Sequence, residues 1–158
     1  IIVVLGLNFG APAGAQAAGL RDQDPYAGYY YPIPAQIEDV RSPAHPLPGV
    51  NRTRRIAFIT HIVTDMMSKP FPPTVTLFAQ GRDAEQLIII SNREGRLNTL
   101  YRVRALLALL TASARVSPIF RELNVEDRFT FIDLAKMLGF SRLTLSDGDR
   151  FAHQIRIE

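Results

Sequence analysis

Between Leu100 and Ala114 the apolar residues Leu100, Val103, Leu106, Leu107, Leu110 and Ala114 recur on one side of a 3.6-residue turn, which predicts a helix. Asn98 or Thr99 supplies its capping side chain, and Ser117-Pro118 closes it and opens a short second helix through Phe120 to Leu123. Phe129, Ile132, Leu134, Ala135, Met137 and Leu138 predict a third, short helix stopped by Gly139. Elsewhere the period shortens to two. Val75-Thr76-Leu77-Phe78-Ala79 and Leu87-Ile88-Ile89-Ile90-Ser91 are rich in strand formers and flank Gly81-Arg82-Asp83-Ala84-Glu85, so they are antiparallel strands or neighbours in one sheet. A turn over Arg93-Glu94-Gly95-Arg96 leads into the long helix. Leu143-Thr144-Leu145 and the alternating run Phe151 to Ile157 enclose Ser146-Asp147-Gly148-Asp149, whose Asp-Gly pair predicts a hairpin turn.

Two stretches are harder to read. From Arg54 to Met67 the apolar residues Ile56, Phe58, Ile59, Ile62, Val63 and Met66 fit a helix capped by Asn51 or a long strand. The β-branched and aromatic run Ile56-Ala57-Phe58-Ile59-Thr60 favours a strand in the first half. Residues 21–50 hold six of the eleven prolines and, at Tyr26, Tyr29, Tyr30 and Tyr31, four of the five tyrosines. That density of proline forbids a regular helix and predicts an extended arm anchored by tyrosine rings. The resulting expectation is an α+β fold over residues 51–158, preceded by a Pro/Tyr-rich arm over residues 19–50. Its antiparallel sheet, built from the segments near 55, 75, 87, 143 and 152, packs against one long and two short helices.

The first twenty residues carry no charge, running from the apolar Ile1-Ile2-Val3-Val4-Leu5 into small residues. Ala13-Gly14-Ala15 and Ala15-Gln16-Ala17 both satisfy the small-x-small pattern of a signal-peptide cleavage site. Residues 1–18 therefore read as a signal-peptide remnant, cleaved after Ala15, Ala17 or Ala18, and predict a periplasmic or secreted protein. Gly6, Asn8, Gly10 and Pro12 interrupt the run too early for a bilayer span, which needs about 20 apolar residues. The same segment lacks the third glycine of a dinucleotide-binding loop and any phosphate-binding Lys.

Composition narrows the chemistry. With 47% hydrophobic and 21% charged residues the chain has enough apolar material to close a core. A net charge of +3 is too weak a field to suggest nucleic acid as a partner. Cysteine is absent, which excludes disulfides, thiol nucleophiles, Cys-ligated zinc and iron–sulfur clusters together.

The best catalytic constellation is Asp147, Asp149 and His153, two carboxylates and an imidazole at a hairpin tip that could share a proton or hold a divalent ion. The same residues also suit a tight turn, with His153 on the face of Phe151, Ile155 and Ile157 as a core-edge histidine. Tyr101, Arg102 and Arg104 are candidates for binding an anion, as are Arg52, Arg54 and Arg55. The alternative for Arg102 and Arg104 is a carboxylate partner such as Asp65, Glu126 or Asp127. Tyr29, Tyr30 and Tyr31 form a candidate aromatic binding patch. His61 and Asp65 would share a face if their segment were helical. No G-x-S-x-G, H-E-x-x-H or Walker loop occurs, and no metal site or cofactor is expected. These features favour a non-catalytic periplasmic binding or accessory protein whose partner is another periplasmic protein. The alternative is a small hydrolase-like or metal-dependent enzyme using the hairpin.

Tyr29-Tyr30-Tyr31-Pro32-Ile33-Pro34, Phe71-Pro72-Pro73, the run Thr99 to Leu107 and the run Leu145 to Gln154 together resemble a family of small exported bacterial proteins of unknown function. Many of its members carry the name molybdopterin-guanine dinucleotide biosynthesis protein A, and the resemblance runs from Tyr29 to the C-terminus. It implies export, and the name implies guanylylation of the molybdenum cofactor. Guanylyltransferases of that name begin with a strand and a glycine-rich loop containing Arg, followed by a Lys. The run Gly6-Leu7-Asn8-Phe9-Gly10 has no basic residue, so no nucleotide-binding residue carries over to this chain.

Overall fold

The computed structural model describes residues 27–28, 30–93, 97–123, 125 and 129–158. Residues 1–18, which the sequence suggests are a signal peptide, Tyr26, Tyr29, residues 94–96, for which the sequence predicts a turn, Glu126 and Asp127 lie outside the described residues. In chain order the elements are β1 (Gln36–Val40), α1 (Arg52–Met67), β2 (Val75–Gln80), β3 (Gln86–Ser91), α2 (Leu100–Arg115), α3 (Pro118–Leu123), α4 (Phe131–Met137), β4 (Arg142–Ser146) and β5 (Ala152–Ile157). The fold is α+β, with the five strands in one sheet ordered β1-β5-β4-β3-β2. Among the described residues no helix is long and apolar enough to cross a membrane.

The pairs β2/β3 and β4/β5 are antiparallel, as their short connections require. By contrast β3/β4 and β1/β5 are parallel, so the sheet is mixed rather than antiparallel throughout. A parallel pair needs a crossover, and α2, α3 and α4 form the one between β3 and β4.

The segment near 55 is not a strand, as its composition predicts, but part of α1. Asn51 starts it by accepting the Arg54 N–H at 3.0 Å. The helix places Phe58, Ile59 and Ile62 together in the core, where an extended chain would send Phe58 and Ile59 to opposite faces. Strand preference spans only about 1 kcal/mol, whereas burying each such side chain contributes roughly 1.5–3 kcal/mol. Tertiary burial wins. The sheet's fifth strand is instead β1, contributed by the Pro-rich segment and paired along β5 from Gln36↔His153 to Val40↔Ile157.

Register aligns the apolar rows facing the helices: Leu77, Ile89 and Leu145 in one, Leu87, Leu143 and Ile155 in the next. They pack against Phe58 and Ile62 of α1, Val103 and Leu110 of α2, and Leu134 of α4. Phe58 meets Phe120 edge-on, with ring centroids 5.6 Å apart, tying α1 to α3. On the opposite face Tyr31 is buried against Ile88 and Ala152, so its ring covers part of the second side of the sheet.

Polar contacts fix α4. Asp133 accepts from the Thr130 backbone N–H at 2.7 Å while Thr130 Oγ1 accepts from the Asp133 N–H, a reciprocal cap. The Ser42 hydroxyl donates to Asp133 at 2.5 Å, and Lys136 donates to the Ser42 carbonyl at 3.0 Å, which joins the loop after β1 to the same helix. Gly139 ends it with φ +73°, and a Cβ there would stand 2.6 Å from Arg55 Nη2.

Candidate functional site

The β4–β5 hairpin forms as predicted, but it does not gather its three chemical groups. Asp147 Oδ1 accepts three backbone N–H bonds, from Phe151 at 2.9 Å and from Asp149 and Arg150 at 3.0 Å. Partial burial alone would raise the Asp147 pKa. The backbone donors of Phe151, Asp149 and Arg150 outweigh it and hold the carboxyl below its usual 3.8. Asp149 pairs at the surface with Arg150 at 3.1 Å. His153 faces the core at 2% exposure and bonds to neither aspartate. Among the described residues no group of three His, Asp or Glu side chains could hold a metal ion.

The partner of His153 is Glu38 on the neighbouring strand β1, with Nε2 and Oε2 3.2 Å apart. Its Nδ1 is buried without a hydrogen-bond partner. Glu38 is absent from the sequence-derived candidates because a parallel pairing across more than a hundred residues leaves no local signal.

Helical spacing does bring His61 and Asp65 to one side of α1, but Asp65 pairs with Lys69 at 2.9 Å. Of the three N-terminal arginines, two serve the frame. Arg54 donates to the Pro48 carbonyl, and Arg55 donates to the carbonyls of Leu138 at 2.8 Å and Asp83 at 2.6 Å. Tyr31 belongs to the core and Tyr30 is half exposed, so these two rings do not form a surface patch together.

Concave surface lies along α2. On one side, Arg102, Ala105, Leu106 and Leu109 face Thr74 and Val75 across a groove of about 450 Å³. It continues past Leu109 into a second hollow of about 220 Å³ walled by Lys69, Phe71 and Pro72. Phe71 is 78% exposed and Leu109 63%, and Tyr101 on the first turn of α2 is 82% exposed. Arg102 donates to Asn98 Oδ1 at 3.1 Å rather than to Asp65. On the other side of α2, Arg104, Leu107, Ala108 and Thr111 face Phe131 and Ile132 across a cleft of about 480 Å³. Arg104 makes no hydrogen bond or ion pair among the described residues, Asp65 included, while the other two carboxylates expected as its partners, Glu126 and Asp127, lie outside them.

Tyr101, Arg102 and Arg104 are thus distributed over two flanks of one helix instead of forming a single site. Lys69, Phe71, Leu109 and Ile132 were not among the sequence candidates. A signal for Leu109 exists: it is a leucine off the buried stripe of α2, on a side where solvent asks for a polar residue. Comparison with family models, with curated proteins and with solved structures returns no match for this chain.

Proposed function

We propose that this chain is an exported, non-catalytic binding or accessory protein that engages a protein partner through the groove between α2 and the Lys69–Val75 segment. The observation that carries the reading is the pair Phe71 and Leu109, large apolar side chains exposed on the walls of one concave surface, with exposed Tyr101 on the first turn of the same helix α2. Contiguous exposed apolar surface of this kind marks interaction sites on otherwise polar proteins. Groups such as Phe71 and Tyr101 dominate interfaces because they bury large areas at little entropic cost. Export is supported by the uncharged apolar run and the small-x-small motifs of residues 1–18.

The test is photo-crosslinking in cells of the source organism, with the reactive residue at Leu109 and, as a control, at the exposed Arg82. A discrete adduct from position 109 alone, lost on Phe71→Glu, is the expected result. Equal adducts from both positions, or none from either, rejects the groove as a docking site. Intact mass measured on the protein from a periplasmic fraction tests export separately, with cleavage after Ala15, Ala17 or Ala18 as the expected outcome.

A further inference from the structure

We infer that the second cleft, between α2 and the start of α4, is a binding site for a small amphiphilic carboxylate, with Arg104 as the anchor for its anionic head. This flank of α2 is separate from the proposed docking groove, and the inference does not depend on that groove. Its side chains follow the helical repeat Arg104, Ala108, Thr111 and Arg115, so one wall is a single stripe of the helix. Phe131 and Ile132 supply the facing wall. The two arginines are eleven positions apart, which at 1.5 Å rise per residue puts their backbones about 16 Å apart along the helix. The volume of about 480 Å³ falls within the range of small-molecule sites.

What selects the ligand is the state of the polar groups. Thr111 Oγ1 donates to the Leu107 carbonyl at 2.8 Å and accepts from the Phe131 N–H at 3.0 Å, so it is spent. Thr130 Oγ1 is bonded to Asp133 within the α4 cap. Arg115 Nη2 donates to the Phe129 carbonyl at 2.7 Å. Arg104 is different, because none of its five N–H donors is used by the described residues. No acidic side chain is among the described residues lining the cleft. A guanidinium with no partner among the described residues, at the edge of an apolar hollow, matches a carboxylate, which it can bind in fork geometry, joined to an apolar body lying on Leu107, Ala108 and Ile132. A cationic or uncharged amphiphile would leave that guanidinium unpaired.

Octanoate, octanol and octylamine are the probes, titrated into the full chain and followed by amide chemical shifts and by calorimetry. Octanoate is expected to bind about tenfold or more tightly than octanol, the factor that one charge-assisted hydrogen bond supplies. Its shifts should centre on Leu107, Ala108 and Ile132. Arg104→Gln should bring octanoate down to the octanol level, and Ala108→Trp, which fills the hollow from an exposed position, should abolish both. The inference is overturned if octanoate and octanol bind alike, if octylamine binds as well as octanoate, or if neither acid nor alcohol binds. It is also overturned if Arg104→Gln leaves octanoate affinity unchanged. Retained dispersion of the amide spectrum establishes that each variant is folded.

Discussion

Replacing Asp147 separates a turn residue from a catalytic one. Its Oδ1 accepts three backbone N–H groups across the β4–β5 connection, so Asp147→Ala strips all three of their acceptor at once. A comparable loss at a helix N-cap costs roughly 0.5–2 kcal/mol. Since this turn is solvent-accessible and water can take over part of the bonding, about 1 kcal/mol is the working figure for Asp147→Ala. Asp147→Asn keeps an oxygen acceptor and loses only the charge assistance, so it should cost less than the alanine variant. Because the folded carboxyl titrates below its usual 3.8, its stabilisation is complete above that value and is lost as pH falls through the folded pKa. The gap between the wild-type protein and Asp147→Asn should therefore be constant around neutrality and close in acid. Urea unfolding at neutral and acidic pH measures it, with a slope of about 1–3 kcal/mol/M converting the midpoint shift. A gap that is absent at neutral pH, or that widens on acidification, refutes the assignment of Asp147 to the turn.

Other substitutions test the rest of the frame. Leu134 on α4 is fully buried in the main core, and Leu134→Ala should cost about 2–5 kcal/mol in equilibrium unfolding. Gly139→Ala meets both a positive φ and the Arg55 guanidinium 2.6 Å from its new Cβ. It should destabilise by about 1 kcal/mol or more, and removing the obstacle with Arg55→Ala should not restore stability, since the Leu138 and Asp83 carbonyls then lose their donor. His153→Phe fills the same space and eliminates a buried Nδ1 without a partner, while half-exposed Glu38 can turn to water. Its thermal midpoint should equal or exceed that of the wild-type protein, and a fall of many degrees would show instead that the His153–Glu38 contact stabilises the fold.

Local chemistry carries far in this chain where one short segment contains its own instructions. Thr99 and the 3.6-residue stripe define α2, the Asp147-Gly148 turn defines the final hairpin, and Gly139 ends α4, all readable because caps, turns and periodicity act over a few residues. The α+β class follows from these same segments. Arg104 could be singled out in the same way, as a cation on an exposed helix position. What lies opposite it could not be, because Phe131 and Ile132 reach the cleft only when α4 packs on α2.

Tertiary structure alone decided three things. It turned residues 52–67 into a helix, because burying Phe58, Ile59 and Ile62 together outweighs a small local preference for strand. It drew Gln36–Val40 out of a Pro-rich segment and set it parallel to β5, a pairing stabilised by backbone bonds to a strand at the far end of the chain. It also buried His153 beside Glu38 and left Asp147 and Asp149 bound into their own turn, taking apart a triad that is adjacent only along the sequence. Adjacency in a strand does not mean convergence, since successive side chains leave on opposite faces and only register determines what each one meets.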